Sequence, residues 1–517
     1  MGKKGFVYLI GAGPGDPGLF TLKGKSILEK AEVVVYDRLV GNEIMSYANP
    51  QAELIYVGKI SGQHALSQEQ INELLVKKAG EGKTVARLKG GDPFLYGRGG
   101  EEAQHLREHG FDFEVVPGIT SAIAVPAYAG IPVTHRDATS SFAVITGHEK
   151  PGKTESSIKW KEIANGIGTL VFLMGVENLP YICENLVKNG KDPQTPVALI
   201  RWGTLPEQEV LTGSLDNIVE KVRKASFKPP AVIVVGDVVD LRDELKWVEN
   251  KALWGKRIVV TRSRAQASKL LEKIRELGGS AIEFPSIIIQ KESKLDSLYN
   301  AFHNIGSYDW LIFTSVNAVE IFFEELLKKE LDIRNLKGIH LCAIGPATRS
   351  SLESRGLKVD VVPDEYRAEG IIEELGQRIR PGQWVLLPRA RGARGILPDT
   401  LRQWGVHVNE VHLYQAEAAK TVSKETLDKI IAGDIDYLTF TSSSTVSNFV
   451  KIIGREKIPA LNREVKVACI GPITANTAIE YGFTVDIMAR EYTINSLLEA
   501  IVEDAAKAGC QKRDARR

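Results

Sequence analysis

The sequence lacks a long hydrophobic run, a group of closely spaced cysteines and an excess of charge of one sign. No stretch approaches the ~18 consecutive apolar residues that a transmembrane helix needs, so we expect no membrane span. The formal net charge is only +1. A charge this small gives no basic field that would draw the chain to nucleic acid or to an anionic membrane.

The four cysteines, Cys183, Cys342, Cys469 and Cys510, lie far apart and show no metal-ligand spacing. This pattern indicates reduced thiols and argues against a disulfide framework or a zinc site. The first residues include two lysines but lead directly into a short strand and a glycine turn, without the apolar stretch of a signal peptide. We therefore expect a cytoplasmic protein with no bound metal.

Short apolar runs alternate with helical patterns along all 517 residues, which predicts α/β architecture with largely parallel sheets. A charged segment with two tryptophans, residues 241–255, separates one strand from the next and marks a boundary near residue 250. We expect a first domain over residues 1–247, a linker over 248–255, a second domain over 256–505 and a flexible, polar tail over 506–517.

The second half contains an internal repeat. Tyr308–Ser315 recurs as Ile435–Ser442, an offset of 127 residues (441 − 314). Similar segments in the same order at nearly constant spacing mean two copies of one α/β unit, and two like lobes usually face each other across a ligand-binding cleft. Three further pairs keep a spacing of 126 or 127 residues: Cys342–Thr348 with Ala468–Thr474, Glu365–Tyr366 with Glu491–Tyr492, and Arg262 with Arg389.

Near the start, the glycine-rich loop Gly11–Pro17 follows a strand and precedes a helix. It approaches the dinucleotide-binding pattern G-x-G-x-x-G, but Asp16 stands where the third glycine is required and two prolines stiffen the loop. A nicotinamide-dependent dehydrogenase is therefore an alternative that the loop itself disfavours.

Seven motifs in the first half occur in a fixed order. Together they resemble the tetrapyrrole methyltransferase family, and within it uroporphyrinogen-III C-methyltransferase, over roughly residues 5–247. The motifs are Gly11–Pro17, Tyr36–Val40, Val57–Lys59, Arg87–Phe94, Gly97–Glu102, Val116–Ala122 and Gly130–Asp137.

The resemblance implies two α/β lobes with S-adenosylmethionine bound in the cleft between them. Glycines in the loops let backbone amides approach a ligand closely, and an aspartate can accept hydrogen bonds from a ribose or a cationic amino group. A Gly-Gly-Asp-Pro run taken alone is also typical of a plain turn. The residues expected to contact the cofactor are Pro14, Gly90, Gly91, Asp92, Leu95, Thr120, Ser121, Met174, Gly203 and Ala231.

The reaction implied is methylation of uroporphyrinogen III at C-2 and C-7, which gives precorrin-2. It requires orientation of the reacting carbon and a base that removes a proton. The resemblance makes Asp37 the base and Lys59 the proton donor, while Arg98 with Glu101 is a second candidate pair. A helix cap or surface ion pair is the alternative for Asp37, and binding of a substrate carboxylate without proton transfer is the alternative for Lys59.

The substrate carries eight carboxylates, and guanidinium groups bind carboxylates with two hydrogen bonds. Arg38, Arg98 and Arg136 lie inside the recognised motifs and are therefore expected to bind this tetrapyrrole. The resemblance also implies a homodimer formed through the first half.

From about residue 255 to 502, the repeated unit resembles uroporphyrinogen-III synthase. That family has two α/β lobes that exchange their ends, which implies one lobe over 256–288 plus 417–505 and another over 292–412. The motifs that carry the resemblance are Val260–Arg262, Phe313–Ala318, Ala343–Thr348, Leu387–Ala390, Leu413–Gln415, Phe440–Thr445 and Ile470–Thr474.

The reaction implied for this half takes linear hydroxymethylbilane, expels its hydroxyl as water and closes the ring with the last pyrrole inverted, without a cofactor. Tyr414, followed by Thr474, is the candidate to assist departure of the hydroxyl. Hydroxyls at strand ends also serve as helix caps, and both uses can coexist. The expected substrate contacts are Thr261, Arg262, Thr314, Ser315, Arg389, Thr441, Ser442 and Ser443.

One alternative keeps the second half as a non-catalytic, two-lobed binding module that regulates a methyltransferase. Since the chain has no third block resembling an oxidase or chelatase domain, iron insertion is not expected.

Overall fold

The computed structural model describes residues 4–58, 66–148, 157–262, 264–284, 287–418 and 424–514. The chain divides into two compact units. The first comprises residues 1–257 with 273–281 and 505–517, and the second comprises 258–272 and 282–504.

The first sheet of the first unit is parallel throughout, with the strand order β3-β2-β4-β1-β5. The three inner strands are largely buried, as a parallel sheet covered by helices requires, whereas the two edge strands are partly exposed. The five strands are β1 (Phe6–Gly11), β2 (Val33–Tyr36), β3 (Glu53–Tyr56), β4 (Thr84–Lys89) and β5 (Phe113–Val116). Because all five run the same way, the loops that follow them lie at one edge of the sheet.

The second sheet is mixed, with the order β6-β7-β10-β8-β9. Only β6 and β7 pair in parallel, and the other three pairs are antiparallel. Its strands are β6 (Phe142–Thr146), β7 (Thr169–Leu173), β8 (Pro196–Arg201), β9 (Glu209–Ser214) and β10 (Ala231–Val235).

Nine α-helices accompany these two sheets in the described ranges. The fifth helix packs its buried Ala122 and Val125 against the second sheet, in one core cluster with Val171 and Val234. The helices are α1 (Leu22–Leu28), α2 (Asn42–Met45), α3 (Gln68–Gly80), α4 (Gly99–Glu108), α5 (Ser121–Tyr128), α6 (Trp160–Gly166), α7 (Leu179–Lys188), α8 (Ile218–Lys224) and α9 (Arg242–Leu245).

The second half of the chain forms two further five-stranded sheets, ordered β12-β11-β18-β19-β20 and β13-β17-β16-β14-β15. The former takes strands from both ends of this half and the latter takes those between. The strands are β11 (Arg257–Val260), β12 (Ser280–Glu283), β13 (Ile287–Lys291), β14 (Trp310–Phe313), β15 (His340–Ala343), β16 (Trp384–Ala390), β17 (His407–Ala418), β18 (Tyr437–Phe440), β19 (Lys466–Cys469) and β20 (Ile487–Met488).

The helices of this half follow the strands in alternation, as the repeating pattern predicts. They are α10 (Arg264–Glu276), α11 (Asp296–His303), α12 (Val316–Lys328), α13 (Pro346–Glu353), α14 (Ala368–Leu375), α15 (Ile396–Gln403), α16 (Lys424–Ile431), α17 (Ser443–Ile453), α18 (Ile458–Glu464), α19 (Pro472–Tyr481) and α20 (Ile494–Asp514). The predicted α/β class is confirmed by these four sheets and the helices between them.

The internal repeat is visible in equivalent backbone and side-chain roles. Ser315 caps α12 and Ser442 caps α17, with nearly the same backbone angles. Asp360 accepts a hydrogen bond from the amide of Leu341 at 2.7 Å, and Asp486 accepts one from Val467 at 2.8 Å. The two copies therefore share local structure as well as sequence.

Two segments differ from the simple picture of a linker and a frayed tail. The predicted linker contains a short 3₁₀ helix, Val248–Asn250, and buries Val248 and Leu253, so it is packed. The last helix continues to Asp514 through most of the predicted tail, where alanines favour helix. The limits of the domains and lobes themselves stay predictions.

Among the described residues, none of the helices has both the length and the apolar content needed to cross a bilayer.

Candidate active sites

Asp37 lies directly after β2, at the edge of the first sheet where the parallel strands end. Its Oδ1 accepts a hydrogen bond from the amide of Leu39 at 3.2 Å. Its Oδ2 lies 3.7 Å from the Nη2 atom of Arg87, which projects from β4, and the Asp37 side chain keeps 28% of its surface exposed. The carboxylate is therefore held in place yet open to a ligand.

Arg87 belongs to a buried charged cluster with Lys89 and Glu102. Glu102 Oε1 accepts hydrogen bonds from Arg87 Nε at 3.1 Å, from Lys89 Nζ at 2.7 Å and from Gln68 Nε2 at 3.1 Å. The motif Arg87–Phe94 was recognised in the sequence, but no role was predicted for Arg87, Lys89 or Glu102. A signal was present in the sequence: Arg87 and Lys89 alternate with apolar residues on β4, where a buried parallel strand is expected to be apolar.

Arg98 and Glu101 form a two-pronged ion pair at the start of α4, with nitrogen–oxygen distances of 2.8 and 2.6 Å. Both side chains are about half exposed. The hydrogen bond that Arg98 donates to Glu101 raises the pKa of Arg98 above its ordinary value. Arg98 therefore keeps its proton, so the geometry favours carboxylate binding by Arg98 over proton removal.

Three cationic residues of the first half were also predicted to act on the substrate: Arg38, Arg136 and Lys59. Arg38 and Arg136 are exposed, and neither has a hydrogen bond or ion pair within the described ranges, so both guanidinium groups are available to a polyanion. Lys59, the predicted proton donor, lies outside the described residues.

The glycine loops after β1 and β4 contact each other through their backbones. Gly13 donates to the carbonyl of Gly91 at 3.2 Å, and Gly91 donates to the carbonyl of Gly13 at 2.7 Å. Gly91 has φ +66°, and a Cβ placed there would lie 4.0 Å from both Thr120 and Ser121. Pro14 follows this contact, so the loops after β1, β4 and β5, each of which carries predicted cofactor contacts, lie next to one another.

Asp92 has a structural role, and its expected contact with the cofactor stays a prediction. Its Oδ1 accepts from the amides of Phe94 and Leu95 at 2.8 and 3.1 Å, and its Oδ2 accepts from the amide of Gly118 at 3.0 Å. These bonds tie the loop after β4 to the loop after β5. Only lone pairs not used by these amides remain for a ligand, so Asp92 chiefly shapes the loops.

Asp16 connects the first glycine loop to α5 and to the loop after β8. Its carboxylate accepts from the hydroxyl of Tyr128 at 2.7 Å, and its amide donates to the hydroxyl of Thr204 at 3.2 Å. Burial, followed by the hydrogen bond to Asp16, raises the pKa of Tyr128, so the phenol stays protonated. Sequence reasoning missed this connection, because Asp16 was considered only as a departure from a dinucleotide motif.

Positive backbone φ angles occur at Met174 (57°), Trp202 (49°) and Thr204 (75°), and also at Tyr96 (54°) and Arg98 (59°). Non-glycine residues adopt this region at a cost, and such residues concentrate at functional sites. These five positions belong to the loops that carry the predicted contacts.

The other predicted cofactor contacts are placed as follows. Met174 is 55% exposed despite its apolar side chain, and a Cβ on Gly203 would lie 2.4 Å from Val125 of α5. Thr120 caps α5 by accepting from the amide of Ala122, Leu95 packs against the core cluster that contains α5, and Ala231 pairs with Arg201 in the second sheet.

In the second half, Tyr414 and Ser315 meet although 99 residues separate them. Their hydroxyl oxygens lie 2.8 Å apart. Tyr414 is only 5% exposed, and this burial raises its pKa, while Ser315, Asn317 and Arg389 act in the opposite direction. Ser315 also accepts from the amide of Ala318 at 3.1 Å, so it is both a helix cap and the partner of Tyr414.

The two arginines of the repeat differ in their environments. Arg389 is buried, pairs with Glu410 at 3.2 Å and donates to the carbonyl of Arg394 at 2.7 Å. Arg262 has no hydrogen bond or ion pair with any described residue, and burial lowers its pKa. Arg389 is therefore held by partners within its own lobe, whereas the Arg262 guanidinium has none among the described residues, and a substrate contact stays a prediction for both.

The predicted hydroxyl residues fall into two groups. Thr261 is buried and donates to the carbonyl of Thr439 at 2.7 Å within the sheet, while Thr314 and Thr441 stay partly exposed. Around the start of α17, Ser442 is the cap and Ser443 contacts Ile473 and Thr477. Thr474 is 5% exposed, and nothing in the described part of the chain joins it to Tyr414.

Comparison with known proteins divides the chain into two consecutive matches. The family "Tetrapyrrole (Corrin/Porphyrin) Methylases" matches residues 7–219, and the family "Uroporphyrinogen-III synthase HemD" matches residues 268–499. A porphyrin biosynthesis protein HemD of Ruminiclostridium josui is 39% identical over 96% of this chain and 98% of its own length. A uroporphyrinogen-III C-methyltransferase of Bacillus subtilis is 45% identical over 71% of this chain and 75% of its own.

A solved structure, the native form of uroporphyrin III C-methyltransferase from Thermus thermophilus, is 39% identical, with a TM-score of 0.40. It covers 46% of this chain and 99% of its own.

These matches define a fused pair of α/β enzyme families of tetrapyrrole synthesis. The chain belongs to the tetrapyrrole methylase family through its first half and to the uroporphyrinogen-III synthase family through its second.

Proposed function

We propose that this chain is a bifunctional enzyme of tetrapyrrole biosynthesis. The second half converts hydroxymethylbilane to uroporphyrinogen III, and the first half methylates that product at C-2 and C-7 to give precorrin-2. The main support is that one relative matches both halves in the same order, over 96% of the chain.

The residues around Gly91 fit S-adenosylmethionine. A Cβ added at Gly91 would contact the backbones of Thr120 and Ser121, so the glycine leaves room for a ligand to approach these loops. Met174 offers an exposed apolar side chain for an adenine face. When bound, this group supplies a methyl on a positively charged sulfur. The chain itself orients the macrocycle next to that methyl, which is the main requirement for transfer.

Asp37 accepts the proton that the macrocycle loses on methylation. Its carboxylate is held but partly exposed, whereas the ion pair with Glu101 keeps the competing Arg98 protonated. Arg38, Arg98 and Arg136 bind the substrate carboxylates, because exposed guanidinium groups suit that contact.

Tyr414 donates a proton to the departing hydroxyl of hydroxymethylbilane. The carbon–oxygen bond breaks, water leaves, and the freed carbon bonds to the already substituted α-carbon of the last pyrrole. The bond from that α-carbon to its bridging carbon then breaks, and the bridge re-forms at the free α-carbon, which inverts the pyrrole and loses a proton. The proton released on ring closure restores the phenol. A buried phenol with a raised pKa holds this proton at neutral pH, and Ser315 orients it. The unpaired Arg262 binds a substrate carboxylate.

An omission experiment tests the proposal. With hydroxymethylbilane alone, the protein is expected to form uroporphyrinogen III; with S-adenosylmethionine added, the product gains two methyl groups by mass. Uroporphyrinogen I as the only product, or no gain in mass, would contradict the proposal.

We further propose a cytoplasmic location and a homodimer formed through the first half. Three buried cysteines without disulfides, Cys183, Cys342 and Cys469, suit a reducing compartment. Light scattering tests the dimer, because the chain mass is 56.8 kDa and the expected particle has twice that mass.

A further inference from the structure

A buried cluster of charged residues lies next to Asp37. Its contacts lead from Glu102 to Arg87 and from Arg87 to Asp37. Glu102 on α4 holds Arg87 and Lys89 on β4 through a single carboxylate oxygen. The Nη1 atom of Arg87 donates to the carbonyls of Val35 and Leu88, at 3.4 and 3.1 Å. With these contacts made, its Nη2 atom is the one that faces the carboxylate of Asp37, at 3.7 Å.

This cluster is poorly explained by stability alone. Glu102 is fully buried, and Arg87 and Lys89 are each 3% exposed. The second oxygen of Glu102 is buried and has no hydrogen-bond partner among the residues that the structure describes. Burial, with the nearby charge of Arg87, lowers the pKa of Lys89. Buried ion pairs are often no more stabilising than apolar residues of the same size. A role in placing the neighbouring carboxylate of Asp37 explains why these charges are buried here.

We propose that Arg87 and Glu102 are positioning residues for Asp37, and that Glu102 orients the Arg87 guanidinium so that it fixes the carboxylate of the base. This inference rests on the proposed function, in which Asp37 accepts the proton from the macrocycle.

Each oxygen of Asp37 has a different neighbour. The amide of Leu39 donates a hydrogen bond to Oδ1 from the loop, and the guanidinium of Arg87 attracts Oδ2 through charge from 3.7 Å, beyond hydrogen-bond distance. The planar guanidinium has several donors in fixed directions, which lets one side chain contact Glu102, two carbonyls and Asp37 together. Displacement of a reacting group by about 1 Å can lower a rate by about 10²-fold.

The test uses the full chain with Arg87→Met and Arg87→Lys. We expect Arg87→Met to lower kcat for methylation by about 10²-fold, with the affinity for S-adenosylhomocysteine changed less than about twofold. Arg87→Lys keeps the buried positive charge, so the fold is expected to be retained. Because a single ammonium group replaces the planar guanidinium and its several donors, kcat is expected to fall by about tenfold. Arg107→Met is the control, because Arg107 forms an exposed ion pair with Asp112 at the far end of α4.

The outcomes separate the inference from the proposed function. If Asp37→Asn retains normal methylation, Asp37 is not the base and the proposed function is wrong on that point. If Asp37→Asn abolishes methylation while Arg87→Lys has a normal kcat, the positioning role is overturned. A parallel fall in kcat and in S-adenosylhomocysteine affinity in Arg87→Lys would also overturn it, because that result indicates a structural role.

Discussion

The hydroxyl of Tyr414 lies 2.8 Å from the hydroxyl of Ser315. Tyr414 projects from β17, and Ser315 caps the helix that follows β14, so a buried phenol meets a helix start at the edge of one sheet. The contact joins two residues that sequence reasoning had named separately, one for catalysis and one for substrate binding.

We predict that Tyr414→Phe slows enzymatic ring closure by about 10²-fold, because the donor for the departing hydroxyl is lost. Hydroxymethylbilane then closes spontaneously, and the fraction of uroporphyrinogen I rises. Chromatography of the isomers after oxidation measures this fraction. Tyr308→Phe is the matched control, since Tyr308 is also buried and its hydroxyl accepts from Asn409. An unchanged isomer ratio in Tyr414→Phe would make Tyr414 structural.

The two arginines of the repeat are expected to respond differently to substitution. Arg262→Gln removes an unpaired cation, so we predict about a tenfold rise in KM for hydroxymethylbilane and an unchanged melting temperature. Arg389→Gln removes the ion pair with Glu410 and the hydrogen bond to the carbonyl of Arg394, but the partly exposed Glu410 keeps its ion pair with Arg402, so we predict a loss of about 2 kcal/mol of stability. Steady-state kinetics and thermal melts of both variants measure these effects. If Arg262→Gln and Arg389→Gln raise KM equally and have the same melting temperature, the proposed difference between the two arginines is wrong.

Gly91→Ala is predicted to weaken binding at the methylation site. The added methyl group would contact the backbones of Thr120 and Ser121 at 4.0 Å, where the cofactor is proposed to bind, and φ +66° disfavours alanine. Gly110→Ala is the control, because Gly110 has φ +75° but no atom within 4 Å of the added carbon. Both variants lose about 1 kcal/mol of stability. Calorimetric titration with S-adenosylhomocysteine is expected to show at least a tenfold loss of affinity in Gly91→Ala alone.

The buried thiols are predicted to resist alkylation in alkaline solution. Burial raises the pKa of Cys342 and Cys469 to about 12, from an ordinary value of 9.0, and that of Cys183 to about 11. Because the thiolate is the reactive form, these residues stay largely unmodified by iodoacetamide at pH 9. Peptide mass mapping measures the modification; complete labelling of the folded chain within minutes would contradict the prediction.

The same shifts predict how stability depends on pH. Above pH 9 the unfolded chain binds fewer protons than the folded chain, because its thiols ionise first. Their contribution to stability is therefore complete below about pH 9 and is lost as the pH rises toward 12. Melting temperatures of the unaltered protein and of Cys469→Ala, each at pH 8 and pH 10, measure this effect. The difference in melting temperature between the two proteins is expected to be smaller at pH 10 than at pH 8.

Much of the architecture could be predicted from local patterns. Short apolar runs such as Val33–Tyr36 predict buried parallel strands, and the recurrence of Tyr308–Ser315 as Ile435–Ser442 predicts two like lobes. Both patterns depend only on the order and spacing of residues, so they can be recognised in the sequence without knowledge of tertiary contacts.

The contacts that define the sites were less predictable, because they join distant parts of the chain. Asp16 and Tyr128 are 112 residues apart, and nothing in either segment points to the other. Glu102 follows Glu101 in a polar motif that suggests an exposed helix start, yet its side chain is fully buried. Asp92 was expected to contact the cofactor, and only the folded chain places its oxygens against the amides of Phe94 and Gly118.

The most direct test of consecutive activities in one chain is the product formed by Asp37→Ala from hydroxymethylbilane and S-adenosylmethionine. The unaltered protein is expected to form a tetrapyrrole with two added methyl groups. The variant is expected to accumulate unmethylated uroporphyrinogen III at the normal rate of ring closure. A dimethylated product from Asp37→Ala, or loss of the III isomer along with methylation, would contradict the account.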